Sequence, residues 1–73
     1  MSKEPDKILI LFGDTLRKQR VAQSLSQKQL AFETGLTREF INRVENGKVN
    51  ISLTNILEIA KVLNIPAKEL FDF

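Results

Sequence analysis

Four polar side chains share one face of a short predicted helix: Arg38, Glu39, Asn42 and Arg43. At about 100° per residue, Ile41 and Val44 fall on the opposite face. An arginine can bind guanine O6 and N7, an asparagine can bind adenine, and a glutamate can accept a hydrogen bond from a cytosine amine. The spacing therefore predicts a helix that reads base edges in a DNA major groove while its apolar side packs on the protein.

Glu39 and Phe40 each have a second interpretation. Glu39 and Arg43 are four positions apart, a spacing that also allows a weakly stabilising ion pair along the helix. Such a pair could in addition orient Arg43 toward a base. Phe40 lies at the border of the two faces, where core packing is the ordinary role and contact with the DNA backbone or a partner subunit is the alternative.

The elements that would position this helix are marked by capping residues. Ser26 and Gln29 have the spacing of a capping box, which predicts the start of a preceding helix. Gly35 follows where that helix must end, because a left-handed residue at a helix terminus is usually glycine. Thr37 is then the N-cap of the second helix, which is expected to cover residues 38–46.

A turn this short makes the two helices cross steeply, as in a helix-turn-helix unit. Ala31 lies where the helices are expected to cross, and a larger side chain there would push them apart. The alternative is an ordinary helical hairpin that only packs.

The composition indicates one small all-α domain. The chain has 73 residues, of which 42% are hydrophobic, and it lacks the alternating patterns and hairpin dipeptides of strands. We expect a flexible N-terminus over residues 1–6 and a single compact domain of five helices over residues 7–73.

Several classes of function are disfavoured by the residues that the chain lacks. There is no cysteine and no histidine, so the usual catalytic acid-base residue and the commonest metal ligands are missing. We therefore expect no enzyme activity, no metal and no cofactor. We also expect no small-molecule ligand, because 73 residues leave no room for a ligand-sensing domain. The apolar run from Ile8 is too short to span a membrane, which together with the lack of disulfides favours a cytoplasmic protein. Because the net charge is only +2, binding to DNA would depend on where the positive charges lie.

The remaining helices are predicted from apolar spacing and helix-terminal residues. The first should cover residues 7–23, where Gly13 implies either close packing or a later helix start. The fourth should begin after Ser52 and reach Asn64, and the fifth should start at Pro66 as its first residue. The expected core positions of the fourth helix are Leu53, Ile56, Leu57, Ala60 and Leu63.

The C-terminal part carries more apolar residues than one contact needs. We predict that a second copy covers the surplus, so that a homodimer forms through Ile59, Val62, Ile65, Phe71 and Phe73. The alternative is that these residues close the core of the monomer, as Leu70 is expected to do.

Ten residues together carry a resemblance to a known family: Gln27, Leu30, Ala31, Gly35, Leu36, Ile41, Glu45, Asn46, Gly47 and Lys48. They resemble the helix-turn-helix of the lambda-repressor and Cro class (Xre-type) of transcriptional regulators, and the match runs from about Phe12 to Phe71. The segment from Asn50 to Phe71 is similar to the controller proteins of restriction-modification systems, which are single-domain dimeric regulators.

The resemblance implies further roles. Arg20 would pair with Glu45 and leave one edge of its guanidinium near a DNA phosphate, and Gln27 would brace Arg38. Asn46, the amide of Gly47 and Lys48 would contact phosphates. Independently of the resemblance, the spacing predicts Gly47 as the C-cap of the helix over residues 38–46. The N-terminus of the helix that begins at Gln27 is also suited to an anion. The predicted phosphate-contacting side chains are Arg20, Ser26, Gln27, Asn46 and Lys48.

These expectations combine into a sequence-specific regulator of double-stranded DNA. A two-fold dimer would present two recognition helices to half-sites about one helical turn apart, so the operator should be roughly palindromic. Two other interpretations stay open. One is an antitoxin-type or other module that binds a protein partner, and the other is a structural helical bundle without a nucleic-acid role.

Overall fold

Over its described residues the protein is an all-α domain of five consecutive helical segments. The computed structural model describes residues 4–73, with side chains from Lys7 onward. The elements are α1 (Glu4–Ala22), α2 (Gln27–Thr34), α3 (Arg38–Glu45), α4 (Leu53–Leu63) and a C-terminal 3-10 helix (Ala67–Phe71). The described residues contain no strand, so the predicted all-α class is confirmed. The fifth segment differs from the prediction in being a 3-10 helix.

Helix α1 begins earlier than the apolar spacing suggested. It starts at Glu4, whereas the sequence predicted a helix from Lys7 and a flexible segment over residues 1–6. Residues 1–3 of that segment lie outside the described residues. Pro5 is compatible with the early start because the amides of a first helical turn have no partner within the helix.

Side chains from every element meet in one hydrophobic core. Leu16 of α1, Leu30 of α2 and Ile41 of α3 are fully buried. Ile59 and Leu63 of α4 close the core from the other side. Burying a side chain of this kind contributes about 1.5–3 kcal/mol, so these contacts are the main source of stability in so short a chain.

Gly13 lies where α1 packs tightly against the backbone of α3. A Cβ atom at this position would lie 2.7 Å from the carbonyl oxygen of Glu45 and closer still to that of Val44. The helix runs through Gly13 without interruption. Close packing, and not a later helix start, is therefore the reason for a glycine in the middle of this helix.

The chain after α4 differs in detail from the prediction. Helix α4 ends at Leu63, and Asn64 forms its C-cap in the left-handed conformation with φ 57°. Pro66 precedes the 3-10 helix as its N-cap, with ψ 142°, and is not its first residue. The extended backbone at Pro66 turns the chain back toward α1. Leu70 is buried there, as expected, and the Phe71 ring lies 5.2 Å from the Phe12 ring.

Candidate nucleic-acid interface

The turn between α2 and α3 is held by the predicted capping contacts. Ser26 Oγ accepts a hydrogen bond from the Gln29 amide at 3.0 Å, and Gln29 Oε1 accepts one from the Ser26 amide at 2.8 Å. Gly35 adopts φ 75° and ψ 13°, in the left-handed region. Thr37 Oγ1 accepts from the Phe40 amide at 3.0 Å and caps α3. These local contacts form the helix-turn-helix unit that the sequence predicted.

Helix α3 packs on the core through one side and leaves the other side open. Ile41 and Val44 are 0% and 1% exposed. The exposed side carries the predicted base-reading residues, Arg38, Glu39, Asn42 and Arg43. Three of them, Arg38, Glu39 and Asn42, line a shallow depression in the surface. The arrangement therefore offers hydrogen-bond donors and acceptors on the exposed face of a helix, an element of the size that enters a major groove.

The structure distinguishes between the alternative roles that the sequence allowed for Glu39 and for Phe40. Glu39 and Arg43 are both described, and they form no ion pair with each other. Both side chains are exposed and can meet a ligand independently. Phe40 is half-buried and packs against the core, which is the ordinary role expected for it.

A buried ion pair joins α1 to α3. Arg20 Nε donates to Glu45 Oε2 at 2.6 Å, and Arg20 Nη2 donates to Glu45 Oε1 at 3.0 Å. The guanidinium also donates from Nη1 to the Leu25 carbonyl at 2.7 Å. The two side chains are 10% and 2% exposed. The pair implied by the resemblance is thus present, and its burial limits any phosphate contact by Arg20 to a narrow edge.

Gln27 braces a different residue from the one that the resemblance implied. Its Nε2 donates to Glu45 Oε1 at 3.0 Å, and its Oε1 accepts from Asn42 Nδ2 at 3.4 Å. No hydrogen bond joins Gln27 to Arg38, although both are described. Both polar atoms of the Gln27 amide are engaged by Glu45 and Asn42, whereas Arg38 lies about 10 Å from residue 45 along the helix axis.

The other predicted phosphate-contacting residues lie around this unit. Ser26, Asn46 and Lys48 are all exposed. Helix α3 ends at Glu45, one residue before the predicted end, and Gly47 follows in the left-handed conformation with φ 69°. The Lys48 amide donates to the Arg43 carbonyl at 2.9 Å, which holds the loop against the end of α3.

The residues predicted for a dimer interface differ in their exposure. Ile59 is 0% exposed and belongs to the monomer core, so this assignment was wrong. Val62 and Ile65 are half-buried against the core. Phe71 and Phe73 are 46% and 53% exposed, as an interface would require.

Helix α4 is rotated relative to the predicted packing. Leu53 and Leu57, which were expected in the core, are 69% and 51% exposed. The buried set is Ile56, Ile59, Ala60 and Leu63. Its centre lies about 50° around the helix from that of the predicted set, at about 100° per residue. The apolar residues of α4 cover so much of its circumference that the sequence could not indicate which side faces inward.

Comparison with known proteins identifies the family. A family model described as helix-turn-helix matches residues 16–70, which is well over half of the chain and includes α2, α3 and α4. The chain belongs to the Xre-type helix-turn-helix family of DNA-binding transcriptional regulators.

Similar family members include control proteins of nearly the same length. The chain is 44% identical over 69 residues to control protein C.BamHI of Bacillus amyloliquefaciens, which covers 93% of this chain and 85% of that protein. It is 42% identical over 65 residues to control protein C.MunI of a Mycoplasma species, with 88% of each chain covered.

A solved structure shows the same fold. The crystal structure of the restriction-modification controller protein C.AhdI from Aeromonas hydrophila superimposes with a TM-score of 0.88 and 47% sequence identity. The superposition covers 90% of this chain and 96% of that chain. In the described residues of the present protein, no helix is both long and apolar enough to cross a membrane.

For this member of the family, sequence reasoning missed one contact within the site. Asn46 Nδ2 donates to the Asn42 carbonyl at 2.9 Å and to Asn42 Oδ1 at 3.3 Å. The sequence carried a signal, because two amide side chains four positions apart on a helix are neighbours. The sequence predicts only a contact with DNA phosphate for Asn46.

Proposed function

We propose that the protein is a homodimeric, sequence-specific transcriptional regulator of the restriction-modification controller type. It binds a roughly palindromic operator with α3 in the major groove. The observation that carries this proposal is the open face of α3, whose four polar side chains project outward from a helix locked to the core by Ile41 and Val44. The controller type is supported by the names of the similar proteins C.BamHI, C.MunI and C.AhdI.

The chemistry of the open face fits base edges. Arg38 and Arg43 each offer a planar guanidinium for guanine O6 and N7, and Asn42 offers an amide for adenine N6 and N7. Glu39 is unpaired with Arg43 and can accept a hydrogen bond from a cytosine amine. One bidentate contact of this kind contributes about 1–3 kcal/mol of discrimination against the wrong base.

Phosphate contacts would fix the register of α3 on the duplex. The N-terminus of α2 presents free amides beside Ser26 and Gln27, and its first turn contains no acidic residue. Asn46 and Lys48 lie at the other end of α3. Arg20 can contact a phosphate only through the narrow edge of its guanidinium that its buried pair with Glu45 leaves exposed. Affinity should therefore fall steeply with salt, whereas the choice of bases should not depend on these contacts.

Dimerisation would use the apolar surface of the C-terminal part. Leu53 and Leu57 on α4, together with Phe71 and Phe73, expose large apolar side chains. Val62 and Ile65 are half-buried and can contribute at the edge. Two-fold symmetry then gives two copies of α3 for two half-sites about one helical turn apart. Nothing in the comparisons favours the antitoxin-type alternative.

Selection of bound sequences from a random DNA pool tests the proposal. We expect the wild-type protein to recover an inverted repeat. The double variant Arg38→Ala with Arg43→Ala should lose this selectivity while keeping its helical circular dichroism. A matched control is Lys61→Ala with Lys68→Ala, which removes the same charge from exposed positions on α4 and the 3-10 helix. Recovery of no repeat by the wild type, or unchanged selectivity in the arginine variant, would contradict the proposal.

A further inference from the structure

A chain of hydrogen bonds runs from the buried side of α3 to its exposed face. It passes through five side chains in the order Arg20, Glu45, Gln27, Asn42 and Asn46. We infer that Gln27 is a positioning residue for base recognition, which sets the preference of Asn42 by holding its amide group in one orientation. This inference rests on the proposed binding of α3 to base edges.

We call this chain of hydrogen bonds the relay. Its direction is fixed at Glu45, because a carboxylate can only accept hydrogen bonds. Glu45 Oε1 accepts from Arg20 Nη2 and from Gln27 Nε2, both at 3.0 Å. A carboxylate has no hydrogen to donate, so the amino group of Gln27 must face Glu45. The carbonyl Oε1 of Gln27 then points to Asn42.

The orientation is passed on to Asn42 from both sides. Gln27 Oε1 lies 3.4 Å from Asn42 Nδ2 and requires a donor there. On the other side Asn46 Nδ2 lies 3.3 Å from Asn42 Oδ1 and requires an acceptor. A reversed Asn42 amide would place two carbonyl oxygens together at Gln27 and two amino groups together at Asn46. Reversing Gln27 as well would only transfer the conflict to the carboxylate of Glu45.

The orientation of the Asn42 amide has a direct chemical consequence. Each amide group can donate two hydrogen bonds and accept two. In Asn42 one donor is used by Gln27 and one acceptor position by Asn46, so one donor and one acceptor remain on an exposed side chain. Adenine presents the complementary pair, an N7 acceptor and an N6 donor, in the major groove. The relay therefore holds Asn42 ready for adenine before DNA arrives.

The positioning of Asn42 by Gln27 can be distinguished by experiment from a contact between Gln27 and a DNA phosphate. A contact to phosphate carries no sequence information, so its loss would weaken binding to all duplexes alike. Loss of the hydrogen bond between Gln27 and Asn42 would instead let the Asn42 amide rotate. Discrimination would then fall at the one base pair that Asn42 reads, and the preferences at other positions would remain.

The test uses the full-length protein and the strongest inverted repeat that the wild type recovers from a random pool. Dissociation constants are measured by fluorescence anisotropy for this duplex and for duplexes with one base pair replaced. The proteins are the wild type, Gln27→Met, Asn42→Ala and the double variant. Methionine keeps the length of the side chain without its amide, and Gln27→Ala serves as a second variant. Lys28→Ala, an exposed neighbour on α2, is the matched control.

We expect Asn42→Ala to reduce the preference for one A·T pair in each half-site by about fivefold or more. Gln27→Met should reduce the preference at the same pair by about two- to tenfold, the size of one neutral hydrogen bond. The double variant should lose no more discrimination there than Asn42→Ala alone, and Lys28→Ala should leave the preference intact.

Three results would overturn the inference while the proposed function stands. They are an equal loss of affinity for all duplexes in both Gln27 variants, an additive loss in the double variant, and an unchanged preference in Asn42→Ala. A wild-type protein that recovers no preferred sequence would overturn the inference and the proposed function together.

Discussion

Helices α3 and α4 pack on the same core but present different surfaces to the outside. Helix α3 buries Ile41, Val44 and the charged Glu45, and its outer face is polar. Helix α4 buries only apolar residues and still exposes Leu53 and Leu57. A polar outer face suits a hydrated, charged ligand, whereas an apolar one is stabilised by contact with another protein surface. In the proposed function, α3 accordingly binds DNA and the outer side of α4 contacts a second subunit.

The difference extends to how each helix is held in place. Helix α3 is attached to α1 through a bidentate ion pair and to α2 through the amide of Gln27. Polar contacts of this kind are directional, so they set the rotation of α3 as well as its position. Helix α4 is held mainly by the packing of apolar side chains, to which Gln23 Nε2 adds one hydrogen bond to the carbonyl of Leu63. Apolar packing specifies shape but leaves the polar chemistry of the α4 surface unconstrained.

The largest expected effect comes from breaking the polar attachment of α3. Glu45→Ala leaves the Arg20 guanidinium buried without its carboxylate partner. Removal of one member of a buried pair costs about 3–5 kcal/mol, a large part of the stability of so small a domain. Urea unfolding followed by circular dichroism measures the loss. A loss below 1 kcal/mol would mean that the pair does not hold α3.

The next largest effect is a difference in stability between substitutions on the inner and outer sides of α4. Ile59→Ala should reduce the free energy of unfolding of the monomer by about 2–5 kcal/mol, because Ile59 is fully buried. The matched change Leu57→Ala removes a similar side chain that is 51% exposed and should cost clearly less. Both are measured by urea unfolding at a dilution where only monomer is present. Equal losses would contradict the packing of α4 described above.

A smaller effect is expected for the proposed subunit contact. Leu57→Asp places a charge on the apolar outer side of α4 and should raise the dissociation constant of the dimer by about tenfold or more. Sedimentation equilibrium measures the constant, and circular dichroism should show an unchanged helix content. Glu58→Ala, an exposed neighbour, is the control. An unchanged constant for Leu57→Asp would place the interface elsewhere.

The smallest effect belongs to an exposed ion-pair cluster on α1. A hydrogen bond from Lys18, with help from Arg17, holds the pKa of Asp14 below its ordinary value of 3.8. The folded pKa lies below the unfolded one, so the contribution to stability is present above the unfolded pKa and is lost as the pH falls through the folded pKa. Asp14→Asn should therefore lower the urea midpoint slightly at neutral pH and not at pH about 2.

Because these pairs are exposed and screened by solvent, their loss should be far smaller than that of the buried pair at Glu45. Urea unfolding of Asp14→Asn and of Glu45→Ala is compared in the same buffer. An effect of Asp14→Asn as large as that of Glu45→Ala would remove the distinction between exposed and buried pairs.

The α2–α3 unit was predictable because its signals are local. The capping residues Ser26, Gly35 and Thr37 act within four positions of their own partners, so their spacing alone predicts where each helix begins and ends. The polar face of α3 was equally readable, because apolar residues occupy only a narrow part of its circumference.

The rest depended on distances between helices. Which side of α4 faces inward, why position 13 is glycine and which residue Gln27 braces are all set by how closely and at what angle the helices cross. A sequence records the reach and polarity of each side chain, but it does not record the separation of two axes. The chain by itself therefore determined the helices and the outward face of α3. Only packing in three dimensions decided the relay to Asn42 and the apolar surface of α4.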